Sequence, residues 1–262
     1  MGQIIAIANQ KGGVGKTTIA FNLVWILASK LKKKILAIDN DPQGNLTFSF
    51  LKTNKTGSGE IINAYDESPI EPINISKNLD ILTADVNLAS VAERPFPVIF
   101  NLKQGLSWLK ENRPESSYDF TIIDCLPSFG HLSLAALVAA DYVLIPVKPS
   151  PYALSGMQEL IKTIQKVKQN LNPSLKILGI VINQVEGRKT ILQQDIQEEL
   201  RSTYQALIFN SVIKKRIKIE ESSIFQKSII SYYAKLKEGE EFIRLAKEIL
   251  QRIDKAEANR EF

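Results

Sequence analysis

The segment that most restricts how this chain can fold runs from Asn9 to Thr18 and reads Asn-Gln-Lys-Gly-Gly-Val-Gly-Lys-Thr-Thr. It follows an apolar run, Ile4 to Ala8, and opens an amphipathic stretch, Thr17 to Lys30. A strand that passes through a glycine-rich turn into a helix is the setting of a phosphate-binding loop. Gly12, Gly13 and Gly15 permit a tight turn in which successive backbone N–H groups, from Lys11 through Val14 to Thr18, point inward at phosphate oxygens. The positive end of the following helix adds to that field. Lys16 is placed to neutralise the β and γ phosphates, and the Thr17 hydroxyl to ligate Mg²⁺. A glycine-rich turn without a ligand would leave both residues unexplained.

The rest of the chain repeats the same alternation. Ile35 to Ile38, Phe120 to Ile123, Tyr142 to Pro146 and Ile177 to Ile182 are short and nearly all apolar, as strands buried on both faces must be. Between them lie helical periods at Pro97 to Lys110, Leu132 to Ala140, Ser155 to Gln169 and Leu192 to Ser202. Strand then helix, repeated, predicts an α/β fold: a doubly wound, mostly parallel sheet flanked by helices. With 262 residues, 44% of them hydrophobic, the chain suffices for one substantial core, so residues 1–262 are expected to form one domain. The polar segment Thr53 to Glu60 reads as a loop, not a domain linker. With the phosphate loop ten residues into the sequence, no N-terminal helix-turn-helix domain is expected.

Two acidic blocks complete the expected site. Asp39 and Asp41 fall where a strand ends, and Pro42 and Gly44 turn the chain away. Carboxylates at the C-terminal ends of parallel strands project into the crevice where ligands bind. Capping or turn formation is the plainer reading of such residues. In Tyr118 to Pro127 an apolar strand ends in Asp124, placed to hold Mg²⁺ through water. Cys125, the only cysteine, has no histidine near it in sequence and reads as a small buried residue, while His131 reads as a surface helix start.

The strict phosphate-loop pattern needs glycine at position 10, where this chain has Gln10, and a second lysine, Lys11, follows. Lys-Gly-Gly-x-x-Lys-Thr-Thr is the deviant Walker A box, and with the Asp-x-Asp-Pro-Gln-Gly-Asn segment it makes the chain similar to ParA proteins of the ParA/MinD class. The resemblance runs from Met1 to about Ile253 and is greatest to the short, Soj-like branch. It implies an ATPase that uses ATP and Mg²⁺ and forms a homodimer around the nucleotide. It further implies non-specific binding of DNA, and hydrolysis stimulated by a ParB-like protein or other small adaptor, so as to segregate or position a plasmid, a chromosome or a large protein cargo. By the same match Lys11 reaches the partner's phosphates, Asp41 positions the attacking water, and Asp39 supports the magnesium shell. Asn183 would contact the adenine edge, although asparagine at a strand end is also a common turn former.

Surface charge leaves the partner open. The net charge is +5, which suits nucleic acid, an anionic membrane or an ordinary lysine-rich surface. Lys214-Lys215-Arg216-Ile217-Lys218 sets four basic side chains in five positions. Family members carry basic residues matching Lys215 and Lys218 on a DNA-binding face, and each phosphate contact would add salt-dependent affinity. A solvated edge is the other reading. A MinD-like, membrane-cycling ATPase is the alternative function. It needs a C-terminal amphipathic anchor, whereas the periodicity from Phe242 to Ile253 reads as a helix docked on the core. No apolar run reaches membrane-spanning length, so a cytoplasmic protein is expected, and the resemblance to ParA proteins implies association with the nucleoid.

Overall fold

A computed structural model describes residues 2–53, 60–113, 117–187, 190–232 and 237–258. Residues 54–59 of the expected polar loop and 259–262 of the tail lie outside that set. Among the described residues eight strands form one sheet: β1 (Gln3–Ile7), β2 (Ile35–Asn40), β3 (Ile73–Ser76), β4 (Leu79–Leu82), β5 (Phe120–Cys125), β6 (Tyr142–Val147), β7 (Lys176–Val185) and β8 (Ile208–Lys214). Their spatial order is β3-β4-β2-β5-β1-β6-β7-β8. Every neighbouring pair is parallel except β3 with β4. The helices are α1 (Lys16–Ser29), α2 (Asn45–Leu51), α3 (Ile62–Tyr65), α4 (Asn101–Asn112), α5 (His131–Ala139), α6 (Ala153–Asn170), α7 (Ile191–Tyr204), α8 (Ile217–Ile224), α9 (Ile229–Tyr232) and α10 (Lys237–Ala258). This is the doubly wound sheet that the alternation predicts.

Successive strand residues alternate between two cores, which is why whole strands are apolar. Ala6, Leu36, Ile38, Ile123 and Ile145 pack on the side of α4, α5 and α6. Ile5, Ile7, Ile35, Ala37, Ile122 and Leu144 face α1 and α10. Helix α1 is apolar all round because the sheet covers one side and α10 the other. Its one buried amide, Asn22, donates to the Thr18 carbonyl at 3.0 Å and accepts from the Ile229 amide at 2.8 Å, pinning α9.

Helix α10 extends beyond the periodicity from Phe242 to Ile253 at both ends. Its apolar seam, Phe242, Leu245, Ala246, Ile249 and Ile253, is buried. Its polar side chains close the free edge of β8. Glu248 accepts from the Asn210 and Ser211 amides at 2.8 and 2.9 Å. Arg252 donates to the carbonyls of Leu178, Leu207 and Ile208 and lies 3.9 Å from the Phe209 ring centre. Gly179 makes room for it, since a β-carbon there would stand 2.5 Å from the Arg252 guanidinium. An edge strand whose backbone is already bonded cannot template another chain.

Arg252→Ala removes three hydrogen bonds to carbonyls, a fourth to Glu248 and a cation–π contact at a partly buried seam. It is expected to lower stability by about 2 kcal/mol, read from the midpoint of urea unfolding. A loss under about 0.5 kcal/mol, the range of ordinary surface changes, would mean that the apolar seam alone holds α10.

Candidate nucleotide site

Strand register builds the floor of the site. Asp39 on β2 and Ile7 on β1 both pair with Asp124 on β5, at the level where the chain leaves β1 for the glycine-rich loop. Strands about 4.8 Å apart in parallel register set the two carboxylates side by side on one face. This is also where the connections from β1 run one way across the sheet and those from β6 the other, the crevice in which doubly wound folds bind ligands.

The loop is tied down from outside. Asn9, buried at the end of β1, donates to the Pro146 carbonyl at 2.7 Å and accepts from the Lys11 amide at 2.9 Å. Gly13 and Gly15 take left-handed backbone, φ 71° and 87°, which side chains disfavour. Helix α1 begins at Lys16, so the amides of Gly15 to Thr18 have no intrahelical acceptor. They border a cavity of about 400 Å³ whose walls include Gly12, Gly13, Lys16, Thr17, Asp41 and Pro127. The rim carries Phe48 and Ile224, both exposed.

The two lysines of the loop part company. Lys16 is buried, its Nζ 3.3 Å from the Lys11 carbonyl. Burial lowers its pKa, and the charges of Asp124 and Asp41 oppose the shift. Lys11 is exposed and turns its ammonium to the Ser150 hydroxyl at 2.8 Å.

The three carboxylates differ in what surrounds them. Asp39 is fully buried; one oxygen accepts from the amide and hydroxyl of Thr47 at 2.7 and 2.8 Å, the other from the Asp41 amide at 3.2 Å. Burial pushes its pKa up to about 7 despite these bonds. Its visible work is to anchor α2, so any support it gives a cation is added to that. Asp41 is nearly buried, accepts from the Gln43 amide at 2.9 Å, and borders the cavity. Asp124 is buried with no hydrogen-bond partner for either oxygen. Burial, then the charge of Asp39, raises its pKa well above the carboxylate range; the Thr17 hydroxyl, near but outside hydrogen-bond geometry, and the Lys16 charge act the other way. Orphaned carboxylate oxygens at such depth call for a cation. No group of three His, Cys, Asp or Glu side chains among the described residues could hold a metal by itself. That suits Mg²⁺, which takes one or two carboxylates and completes its shell with phosphates and water.

Other predicted residues find different company. The Asn183 amide donates to the Val14 carbonyl at 2.7 Å, a contact with the loop that sequence did not indicate. Cys125 is buried, and His131 opens α5 with its ring against the Val91 carbonyl. Of the basic run, Lys214 ends β8 and pairs with Glu241 at 3.8 Å. Lys215 and Arg216 are exposed in the turn, and Lys218 lies in the first turn of α8. Gln184, Thr47 and Ser150 were missed, because nothing in their local sequence marks them.

Fold and loop together define a phosphate-loop nucleotide-binding protein. Residues 2–177 match the family described as AAA domain. The chain is 37% identical to the sporulation initiation inhibitor protein Soj of Bacillus subtilis, covering 95% of this chain and 98% of that one. It is likewise 37% identical to the chromosome partitioning protein ParA of Myxococcus xanthus, over 96% and 89% of the two chains. Among solved structures it resembles the cobyrinic acid a,c-diamide synthase of Mycobacterium smegmatis with bound ATP analog and magnesium, with a TM-score of 0.79, 26% identity and 97% and 96% coverage. The chain belongs to the ParA family of ATPases.

Asp124→Asn tests the buried charge. A carboxyl whose folded pKa is raised stabilises the protein fully only while protonated, below its ordinary value of 3.8, and the contribution is lost as pH rises. At pH 8 the nucleotide-free variant should therefore melt a few degrees above the unchanged protein, and the gap should close toward pH 4. Equal melting at both pH values would show that the charge is compensated by groups other than those named.

Proposed function

We propose that this protein is an ATP-driven positioning device of the ParA type, in which two copies close on each other around ATP. The pair then binds DNA without sequence preference, and a ParB-like protein or another small adaptor stimulates hydrolysis and so releases it. The chain is an ATPase, with ATP and Mg²⁺ as its cofactors. The whole of residues 1–262 acts as this one ATPase unit.

The observation that carries the dimer is the divergence of the two loop lysines. Lys16 points along its own phosphate cradle, while Lys11 stands exposed against Ser150. A lysine in a phosphate loop that faces away from its own cavity has a use when a second nucleotide comes to it. The exposed Phe48 and Ile224 on the rim give the facing copies apolar surface to cover.

Within that frame each residue has a role. Amides from Gly12 through Thr18 hold the phosphates, the Lys11 amide being already given to Asn9, and Lys16 offsets their charge. Thr17 and Asp124 hold Mg²⁺, which when bound spreads the charge that builds up on the transferred group, and Asp39 supports that shell from beneath. Asp41, at the cavity wall, orients the attacking water; phosphoryl transfer depends on such positioning. Asn183, which the family resemblance would set at the adenine edge, gives its amide to the Val14 carbonyl, so its support here is to the loop. Lys215 and Lys218 contribute to the DNA face. The MinD-like alternative has less support, because the apolar seam of α10 is buried against the core and not offered to a membrane surface.

Asp41→Ala should bind ATP but not hydrolyse it, and accumulate as a dimer by size exclusion with ATP and Mg²⁺. Lys11→Ala should bind ATP and remain a monomer. Normal turnover by the first variant, or a dimer of the second, would refute these roles.

Binding to arbitrary double-stranded DNA should need ATP and weaken steeply with salt, because pairing doubles the phosphates neutralised. Lys215→Glu with Lys218→Glu should remove most of it, at least tenfold by filter binding, and leave basal hydrolysis intact. ATP-dependent flotation with anionic liposomes in the absence of DNA binding would instead favour the membrane-cycling function.

A further inference from the structure

The C-terminal end of β7 bears on the phosphate loop through two adjacent side-chain amides. Asn183 Nδ2 donates to the Val14 carbonyl at 2.7 Å, and Gln184 Nε2 to the Gly13 carbonyl at 2.9 Å. Two donors from consecutive residues thus hold two consecutive carbonyls of the loop. We infer that Asn183 and Gln184 act together as a clamp that sets the orientation of the phosphate-binding amides, and that Gln184 is a positioning residue for nucleotide binding. The inference rests on the reading of this loop as the nucleotide site.

Peptide geometry gives the clamp its effect. In a trans peptide the carbonyl of one residue and the N–H of the next point in opposite directions, and no cis bond occurs among the described residues. Fixing the Gly13 carbonyl therefore fixes the Val14 N–H, and fixing the Val14 carbonyl fixes the Gly15 N–H. Those N–H groups are turned away from β7. A glycine-rich loop left to itself samples many orientations, and a ligand would have to select among them. Holding the carbonyls from outside removes that cost before the ligand arrives.

Two further observations show that the contact is built rather than incidental. Gln184 holds left-handed backbone, φ 57°, a conformation that non-glycine residues seldom adopt and that persists where surroundings impose it. It lets neighbouring residues of a strand end aim both side chains at the same loop, although residues in a regular strand point to opposite faces. Gly15 is cut to fit the Asn183 contact: a β-carbon on it would lie 2.3 Å from Asn183 Nδ2. Asn183 is itself buried, so its amide has no ready exchange with water.

A clamp and a base reader differ in what their loss does. Removing a base reader lowers affinity for ATP and spares ligands without adenine. Removing a clamp weakens everything that the loop holds, by the same factor. Dissociation constants for ATP, GTP and inorganic tripolyphosphate, each with Mg²⁺, are to be measured by competition against a fluorescent ATP analogue. Gln184→Met keeps the length of the side chain and removes the donor to the Gly13 carbonyl without adding charge to the cavity wall. It is expected to weaken all three ligands alike, by about tenfold, while the melting temperature of the nucleotide-free protein stays near that of the unchanged chain. Asn183→Ala is expected to weaken all three alike as well. Affinities for Gln184→Met equal to those of the unchanged protein would overturn the clamp. So would a loss confined to ATP in Asn183→Ala, which would return Asn183 to the base. Lys16→Ala is the control for the site: if it binds nucleotide as tightly as the unchanged protein, the loop is not the nucleotide site and the inference falls with it.

Discussion

Three parallel strands, β1, β2 and β5, hold the site in being because their register brings Asp39 and Asp124 together beneath the loop that leaves β1. Two carboxylates at that depth repel each other and lack water, and both pKa values are raised. The sheet that carries them must be stable enough to keep them there. Its two cores, one on each face, supply that stability through strands apolar along their whole length. The site is thus a local debit carried by the fold, a common condition of functional sites.

The two carboxylates relieve the strain differently. Asp39 has its oxygens bonded to Thr47 and to the Asp41 amide, and through Thr47, whose hydroxyl accepts from the Ala84 amide at 2.9 Å, it joins β2 to α2 and the segment after β4. Asp124 has no such bond. One aspartate therefore works as a structural fastener and the other remains open to a cation. The same division recurs in the loop, where Lys16 is held inward and Lys11 outward. In both pairs, chemically equal side chains acquire different uses from their surroundings.

At the other side of the sheet the problem is a free edge. Helix α10 covers it with Glu241, Glu248 and Arg252 while burying an apolar seam against α1 and β8. A helix with that composition, considered alone, suits either a core or a membrane surface. Docking decides it here, because the seam is already covered and the polar groups are already bonded. Lys214, one of four clustered basic residues, is drawn into the same seam by Glu241.

Much of this protein was legible in the residue order. The five apolar runs, the loop from Asn9 to Thr18, and the acidic ends at Asp39, Asp41 and Asp124 stand out because strand burial and phosphate binding impose local patterns on neighbouring residues. Other pieces were not legible: the β3–β4 pair and helix α2 carry too few residues for their periodicity to show, the apolar run of edge strand β8 is interrupted by Asn210 and Ser211, and each is held by contacts distant in sequence. Nor could sequence reveal that Asn183 and Gln184 reach Gly13 and Val14, about 170 positions earlier. Sequence alone determined which chemistry the loop would hold, since glycines, lysines and threonine act through adjacent backbone. Only the tertiary structure decided which lysine turned inward, which aspartate stayed unbonded and what braced the loop, because those outcomes depend on burial and on register between strands.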